Sequence, residues 1–549
     1  MFWKTAKQKI FCLLKLAVEK QTEVSMKAIL LLMFLFFSFQ EANALITWSS
    51  PPVTISTEGA DATSVQLGID NSGNATAIWL EEGVVKSSFL PSDGSWSEIL
   101  SLSSGGAASP LLVVDPAGNA TAIWNISGSI QTASQPFGGS WGTPTTLVSS
   151  GGSAASIVND TSGNVVAIWA ASGAIESSTK LFGGSWQATP DVLASSGGSS
   201  PQVAIGSSGE IFAVWHAVNP MTSMDAIYSS SKTLSGSWST PVAISLDSQN
   251  CVYPQIAVDS NGNGLAIWYR YTLNGSQYTN VVVQSSKYSA SGTTWSDPVD
   301  LSSAGILNPA DLNASVIYSS AGNAIAVWTN SADGSSYTIS SAFLGVNGSW
   351  TNSTDIVTDL YANSFSTGFD PAGYVYLAFT QYDYPSSSLV IKNNVTVLDG
   401  LAWNYWTPNG TISNGNQNAF PDVAITNSVP PNAGVAAWNS YNGSNLIIQA
   451  VSGVGSALLP PTDLSVVQNE TDYGVLQQYA NTVSWVASPS PSVRFYAVFR
   501  NGIRIRNVGS YMTSIVDPNA APGGSVTYGV ASLDGQTGEI STVATVSYP

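Results

Sequence analysis

The sequence is short of charge: 9% of its 549 residues are Asp, Glu, Lys or Arg, and His216 is the single histidine. Basic residues are scarcer than acidic ones, 16 against 34, so the surrounding field is negative and repels phosphate backbones and anionic lipid surfaces. Nucleic acid is excluded as an expected partner. Cysteine is nearly absent, with Cys12 and Cys251 alone. If Cys12 leaves with an N-terminal leader, Cys251 cannot form an intramolecular disulfide, and stability must come from packing. Cys251 then reads as a small buried thiol. Helical periodicity is also missing, and beyond the N-terminus no apolar run approaches the roughly 20 residues that span a bilayer.

What is present is apolar and aromatic: 44% hydrophobic residues, 49 Gly and 18 Trp. That mixture excludes disorder. At roughly 100–200 residues per domain, the length implies several domains or one large repeat array with an appendage. Near the N-terminus, Met26 and Lys27 precede an apolar run over residues 28–39 and an Ala42-Asn43-Ala44 cleavage pattern. This is the form of a secretory signal peptide, within a leader of residues 1–44 whose true start is Met26. Its removal leaves 10 basic and 31 acidic residues. The C-terminus carries no anchor signal, so the product is expected to be secreted or held at the cell surface, without a membrane span.

Internal repetition dominates the rest. Asp70-Asn-Ser-Gly-Asn-Ala-Thr-Ala-Ile-Trp79 returns in units ending at Trp124, Trp169 and Trp268, and degenerate copies end at Trp215, Trp328, Phe379 and Trp438. A second motif, Gly-Ser-Trp followed by Ser or Thr and often Pro, alternates with it, as at Trp141, Trp238 and Trp350. Each unit splits into four strand-length segments punctuated by Gly, Asn, Asp and Ser. Four strands in about 45 residues is the signature of a propeller blade. The expected fold is therefore all-β: an eight-bladed β-propeller over residues 45–458, with seven blades as the alternative. The eighth unit lacks its fourth strand, and Trp48-Ser-Ser-Pro51 with residues 53–56 has the missing pattern. The N-terminal strand is thus expected to close the ring and remove open edges.

These repeats resemble secreted bacterial propellers of the sialidase-like and BNR-like kind in style, although the Ser-x-Asp-x-Gly-x-x-Trp box of that family does not recur. The tail, residues 460–549, resembles a fibronectin type III module: Pro461, Trp485, Tyr496 and Tyr528 fall where that family keeps its core residues. The resemblance implies a β-sandwich acting as a spacer.

Catalytic constellations are sparse. A sialidase holds its substrate carboxylate with three arginines, whereas the ring contains Arg270 alone. Glycosidases need two facing carboxylates, but Asp70, Asp115, Asp160 and Asp259 in Asp-x-x-Gly-Asn turns, and Asp370 in the variant Asp-x-x-Gly-Tyr, are read as capping their own backbone. Asp259 to Gly264 matches half of a calcium loop, yet its twelfth position is Arg270, not Glu. No metal, cofactor or catalytic residue is assigned. His216 is read as a surface residue opening a loop near Asp225.

The interval from the Ala-Ile-Trp residue to the next Gly-Ser-Trp residue is 17 in the first three units, then 23, 27, 22 and at least 24. The insertions fall between second and third strands, so one arc of one rim is built up. The ligand site is placed there, on Tyr269, Arg270, Tyr271, Asn330, Tyr382, Asp383, Tyr384 and Tyr441. Aromatic faces beside polar side chains suit sugars. The expected function is a monomeric, non-enzymatic scaffold binding glycan or extracellular protein. A secreted glycoside hydrolase or lyase acting on polysaccharide is the alternative, and a purely structural surface protein is the third reading.

Overall fold

The computed structural model describes residues 46–549 apart from 247, 276, 320–321, 347, 360–363, 370–373, 384–385, 398–406, 414–417, 426–432, 456–460, 473–476, 489–492, 519–524, 535–540, 542 and 549. The expected leader and the Asp370 turn lie outside the described residues. Among those described, helix is confined to one 3-10 turn, Pro309–Asp311, and no helix is long and apolar enough to cross a membrane. The chain divides into two compact units, Ala44–Ala457 and one that includes Leu458–Pro549.

The first unit is a succession of small antiparallel sheets. Sheet 1 is Ala62–Ile69, Ala75–Glu81, Val84–Leu90 and Leu100–Ser101, and sheet 2 is Ala107–Val114, Ala120–Ile126, Ser129–Gln135 and Thr145–Val148. Sheet 3 is Gly152–Asn159, Val165–Ala171, Ala174–Lys180 and Asp191–Ala194, and sheet 4 is Gly198–Ile205, Glu210–Val218, Asp225–Thr233 and Val242–Ala243. Sheet 5 has Asn250–Val258, Gly264–Asn274 and Gln277–Ser289, with Thr294–Trp295, Val299–Asp300 and Gly305–Leu307 along the last. Sheet 6 is Ala314–Tyr318, Ala324–Asn330, Tyr337–Leu344 and Thr354–Asp359, and sheet 7 is Phe365–Phe369, Tyr374–Asp383, Ser388–Val397 and Thr407–Thr411. Sheet 8 has Asn418–Ile425, Ala433–Tyr441 and Leu446–Gly455.

First strands of successive sheets lie side by side, from sheet 1 round to sheet 8 and back to sheet 1. They line a central channel. Ile46–Trp48 pairs with the last strand of sheet 8, Ile46 opposite Gly455, and Val53–Thr54 pairs further along it, Val53 opposite Ala450. The N-terminal segment thus fills the outer position of the final sheet.

Second strands are sandwiched between neighbouring sheets, which explains their continuous apolar sequence. Trp79, Trp124, Trp169, Trp215, Trp268, Trp328 and Trp438 are each at most 1% exposed. Burying an aromatic side chain removes about 150–250 Å² from water, or about 4–6 kcal/mol of hydrophobic stabilisation per indole at ~25 cal/mol per Å². The preceding turns are held by the recurrent Asp and Asn together. Asp70 Oδ1 accepts the Ser72 and Asn74 amides at 2.8 and 2.9 Å, while its Oδ2 accepts Asn74 Nδ2 at 2.7 Å. Asn74 Oδ1 in turn accepts the Ser92 amide at 3.0 Å. The same links recur from Asn119 to Phe137, Asn164 to Phe182 and Asn263 to Ala290. Asp caps its own turn and Asn ties it to the next hairpin.

The second unit has a three-stranded sheet, Thr462–Asp472, Gln477–Val486 and Ser514–Asp517, and a four-stranded one ordered Ile503–Gly509, Val493–Arg500, Val526–Asp534, Ala544–Tyr548. Its core holds Trp485 edge-on to Tyr496 at 5.4 Å between ring centres. Tyr528 donates to the buried Asp517 at 2.6 Å, and Arg500 pairs with the same carboxylate at 2.9 Å.

Candidate functional site

The rim where second strands end and third strands begin is uneven. In sheets 1–3 the hairpins close on two residues, Glu82-Gly83, Ser127-Gly128 and Ser172-Gly173, all with positive φ, the tight primed turn that suits the strand twist. In sheet 5 the second and third strands lengthen to 11 and 13 residues. In sheet 7 both reach 10 residues. Gly305–Leu307 pairs with the extended sheet 5 hairpin, Leu307 opposite Tyr278, thickening that wall.

This wall changes the fate of the residues the sequence placed on it. Tyr269 is 1% exposed and donates to the Asn313 and Thr329 carbonyls at 2.6 and 3.2 Å. Tyr271 is 6% exposed, stacks on Tyr278 at 3.9 Å, and donates to Asp225 Oδ2 at 2.8 Å. Neither ring is an open stacking face, because the hairpin is itself covered. That reading is corrected. Arg270 is half-buried and turned toward Asp300 at 3.4 Å, with its Nε buried and unpartnered. Asn330 Oδ1 accepts the Ser331 amide at 2.8 Å. Asp383 accepts the Ser386 amide and hydroxyl at 3.1 and 2.6 Å, which holds its carboxyl below the usual range. Tyr382 is half-buried, Tyr441 is 39% exposed at the end of its strand, and Tyr384 lies outside the described residues. Arg270, Asn330 and Asp383 thus make their side-chain bonds within their own sheets and turns, with Arg270 Nε left over.

The channel mouth is the better-built feature. The first strands of sheets 1–5 and 8 each break register. At each break one residue adopts a left-handed backbone: Ser64, Ser109, Ala154, Ser200, Tyr253 and Phe420. These are β-bulges, which re-aim side chains. The first strands of sheets 6 and 7 pair with their second strands without a break. A left-handed conformation is unusual for bulky residues and costs on the order of 1–3 kcal/mol. Tyr253 and Phe420 nevertheless hold it at φ 51° and 52°, and leave their rings 39% and 65% exposed.

Tyr253 faces His216. The histidine lies inside the strand Glu210–Val218, half-buried, with its ring centre 6.5 Å from that of Tyr253. Its Nδ1 is buried without a partner. Burial lowers its pKa, and the Asp225 carboxylate opposes that shift. The reading of His216 as a surface loop residue is therefore corrected: the hairpin carries the strand past it, and the bulge of the next sheet covers it. Sequence periodicity does not register that contact, although the Tyr253-Pro254 and Phe420-Pro421 pairs marked both bulges. Cys251, nearby, is fully buried, and burial pushes its thiol up to about 12.

Across the channel a cavity of about 650 Å³ opens between sheets 7, 8 and 1, lined by Gln66, Asn313, Ser366, Phe420, Asp422 and Asn439 among others. Asp422 accepts the Leu67 amide at 2.8 Å and the Ser366 hydroxyl at 2.9 Å. Burial still pushes its carboxyl upward. Among the described residues no group of three or more His, Cys, Asp or Glu could hold a metal ion, and Asp259 Oδ1 accepts the Asn261 and Asn263 amides, both at 2.8 Å.

No family model and no curated protein matches the chain. Solved structures do. A crystal structure of the polysaccharide lyase Uly1 is similar at 8% identity and TM-score 0.41, over 76% of this chain and 98% of that one. An ulvan lyase of family PL25 is similar at 10% identity and TM-score 0.38, over 76% and 95%. The Hadza microbial sialidase Hz136 is similar at 11% identity and TM-score 0.32, over 81% and 94%. The all-β ring thus has propeller-like neighbours that are glycan-active enzymes. The expected non-enzymatic scaffold has no counterpart among these three neighbours, each named as a glycan-active enzyme, which sides with the alternative of a hydrolase or lyase.

Proposed function

We infer that the protein is a secreted, monomeric polysaccharide lyase that cleaves a uronate-containing glycan at the channel mouth. The carrying observation is His216, half-buried with Nδ1 enclosed, against an exposed Tyr253 held in a left-handed bulge. In β-elimination a base removes the proton beside the uronate carboxylate, the electron pair forms the C4–C5 double bond, and the C4–oxygen bond breaks. His216, kept neutral by burial, is the base through Nε2, with its own proton on Nδ1. Tyr253 gives its phenolic proton to the departing oxygen. The half-buried Gln202 and Gln255, two residues beyond the bulges of sheets 4 and 5, supply amide donors to the carboxylate.

Hydrolysis is less well supported. It takes two carboxylates flanking the bond, and Asp422 is the one carboxylate among the described residues lining the cavity. A sialidase is disfavoured because Arg270 is the ring's one arginine. In the same reading the eight sheets are eight blades of a propeller, a count supported by their closed circuit and by the N-terminal pairing. Residues 460–549 are a fibronectin type III spacer, a reading supported by two small sheets around Trp485, Tyr496 and Tyr528.

The test is ultraviolet absorbance of unsaturated product during incubation with polyuronates and mixed uronate polysaccharides. The intact protein should generate it, and the rate should climb as pH rises through the His216 pKa, which lies below the ordinary 6.5. His216→Ala should lose roughly 10²–10⁴-fold and its rising pH limb, with the melting temperature kept. New reducing ends without absorbance would replace elimination with hydrolysis.

A further inference from the structure

We propose that the cavity between sheets 7, 8 and 1 is a subsite for a neutral sugar residue, stacked on Phe420 and hydrogen-bonded by Asn439 and Asp422. The proposal rests on the lyase reading and deepens it, because sheets 8 and 1 stand opposite sheets 4 and 5 in the circuit of eight. A glycan lying across the mouth would meet His216 and Tyr253 on one side and this cavity on the other.

Three independent observations converge here. The first is the strained aromatic: Phe420 is 65% exposed at φ 52°. Its bulge keeps a flat apolar face at the mouth, as pyranose stacking needs. The second is Asn439, which lines the cavity at 7% exposure with its Oδ1 unpartnered. A buried amide oxygen without a donor is costly, and a sugar hydroxyl reached by a small turn of the amide would supply one. The third is volume: about 650 Å³ falls in the range of about 300–1,000 Å³ typical of small-molecule sites.

Charge selects the ligand. Among the described residues lining the cavity there is no Lys, Arg or His, and Asp422 sits in it, so a uronate or sulfate would meet no cation from them. Gln66 and Ser366 add neutral polar groups. The preferred occupant is hydroxyl-rich and uncharged. The substrate is therefore a heteropolymer in which a uronate adjoins neutral sugars, rather than a homopolyuronate.

The experiment measures binding of neutral xylo-, manno-, gluco- and arabino-oligosaccharides to His216→Ala, which cannot turn over substrate, and to the same chain carrying Phe420→Gly. Glycine suits the left-handed position, so the fold should persist, and circular dichroism checks it. At least one neutral series should bind, and Phe420→Gly should weaken it about tenfold or more. Asp422→Asn, which keeps the side-chain shape, should weaken it less. Equal binding by the Phe420→Gly chain, or no binding of any neutral series, overturns the subsite. The two readings fail separately: elimination product without neutral-sugar binding leaves the lyase and removes the subsite. Binding lost with Phe420→Gly, but no elimination product from any polymer, removes the lyase and leaves the subsite.

Discussion

Sheets 1–3 and sheets 4–8 are made from one repeat, yet they spend it differently. In the first three, second strands of 7 residues end in two-residue turns whose backbone leaves no room for elaboration. In sheet 5 the same strand runs to 11 residues and supports an added segment, Gly305–Leu307. Both arcs nevertheless bury an aromatic ring at the equivalent point of the second strand, tryptophan in seven sheets and Phe379 in sheet 7. The difference teaches that the core constraint is uniform around the ring, while the rim above it is free to vary wherever the hairpin outgrows its shortest turn.

The comparison breaks most visibly in the core. Trp169→Ala in the short arc and Trp268→Ala in the tall one should each cost about 3–5 kcal/mol in chemical denaturation. If Trp268→Ala were nearly silent, the tall arc would not share the packing that holds the short one. A second change separates fold from function: replacing residues 272–279 by the Ser-Gly turn of sheet 3 removes the hairpin that bears Tyr278 and supports Tyr271 against Asp225. Elimination should fall by roughly 100-fold, the penalty for a small misplacement of catalytic groups, while thermal unfolding stays close to that of the parent. Loss of folding instead would make the tall hairpin part of the core. The smallest effect sharpens the contrast between bulges. Tyr253→Gly should stabilise the chain by about 1 kcal/mol through relief of the left-handed strain, and Ala154→Gly by less, because less side chain is constrained. A destabilised Tyr253→Gly would mean that the ring's contacts outweigh its strain.

The repeat was legible because a buried second strand needs the same apolar residues in every unit, so the tryptophans and their turns recur. The eight units of the sequence fall one to each of the eight described sheets of Ala44–Ala457. The role of Asn74 and its counterparts was not legible, since their amides reach a hairpin 18 residues on. The rim insertions were visible as longer intervals, but their interior was not: Tyr269 and Tyr271 look like loop aromatics until Gly305–Leu307 and sheet 6 cover them. His216 was missed for a related reason. Its surroundings come from Tyr253 in the next sheet, whose backbone angle no hydrophobic period encodes.

The pairing of Ile46 with Gly455 has a consequence for how the molecule is made. A ribosome delivers the first of these residues long before the last, so the outer edge of sheet 8 stays bare until its partner, waiting at the other end of the ring, is recruited. The loop-closure cost of such a distant partner grows slowly with length, which makes the late latch affordable. Until that latch closes, the bare edge of sheet 8 is a strand edge of the kind another chain could pair with, and the chain's own segment, tethered to the same ring, has the higher effective concentration there.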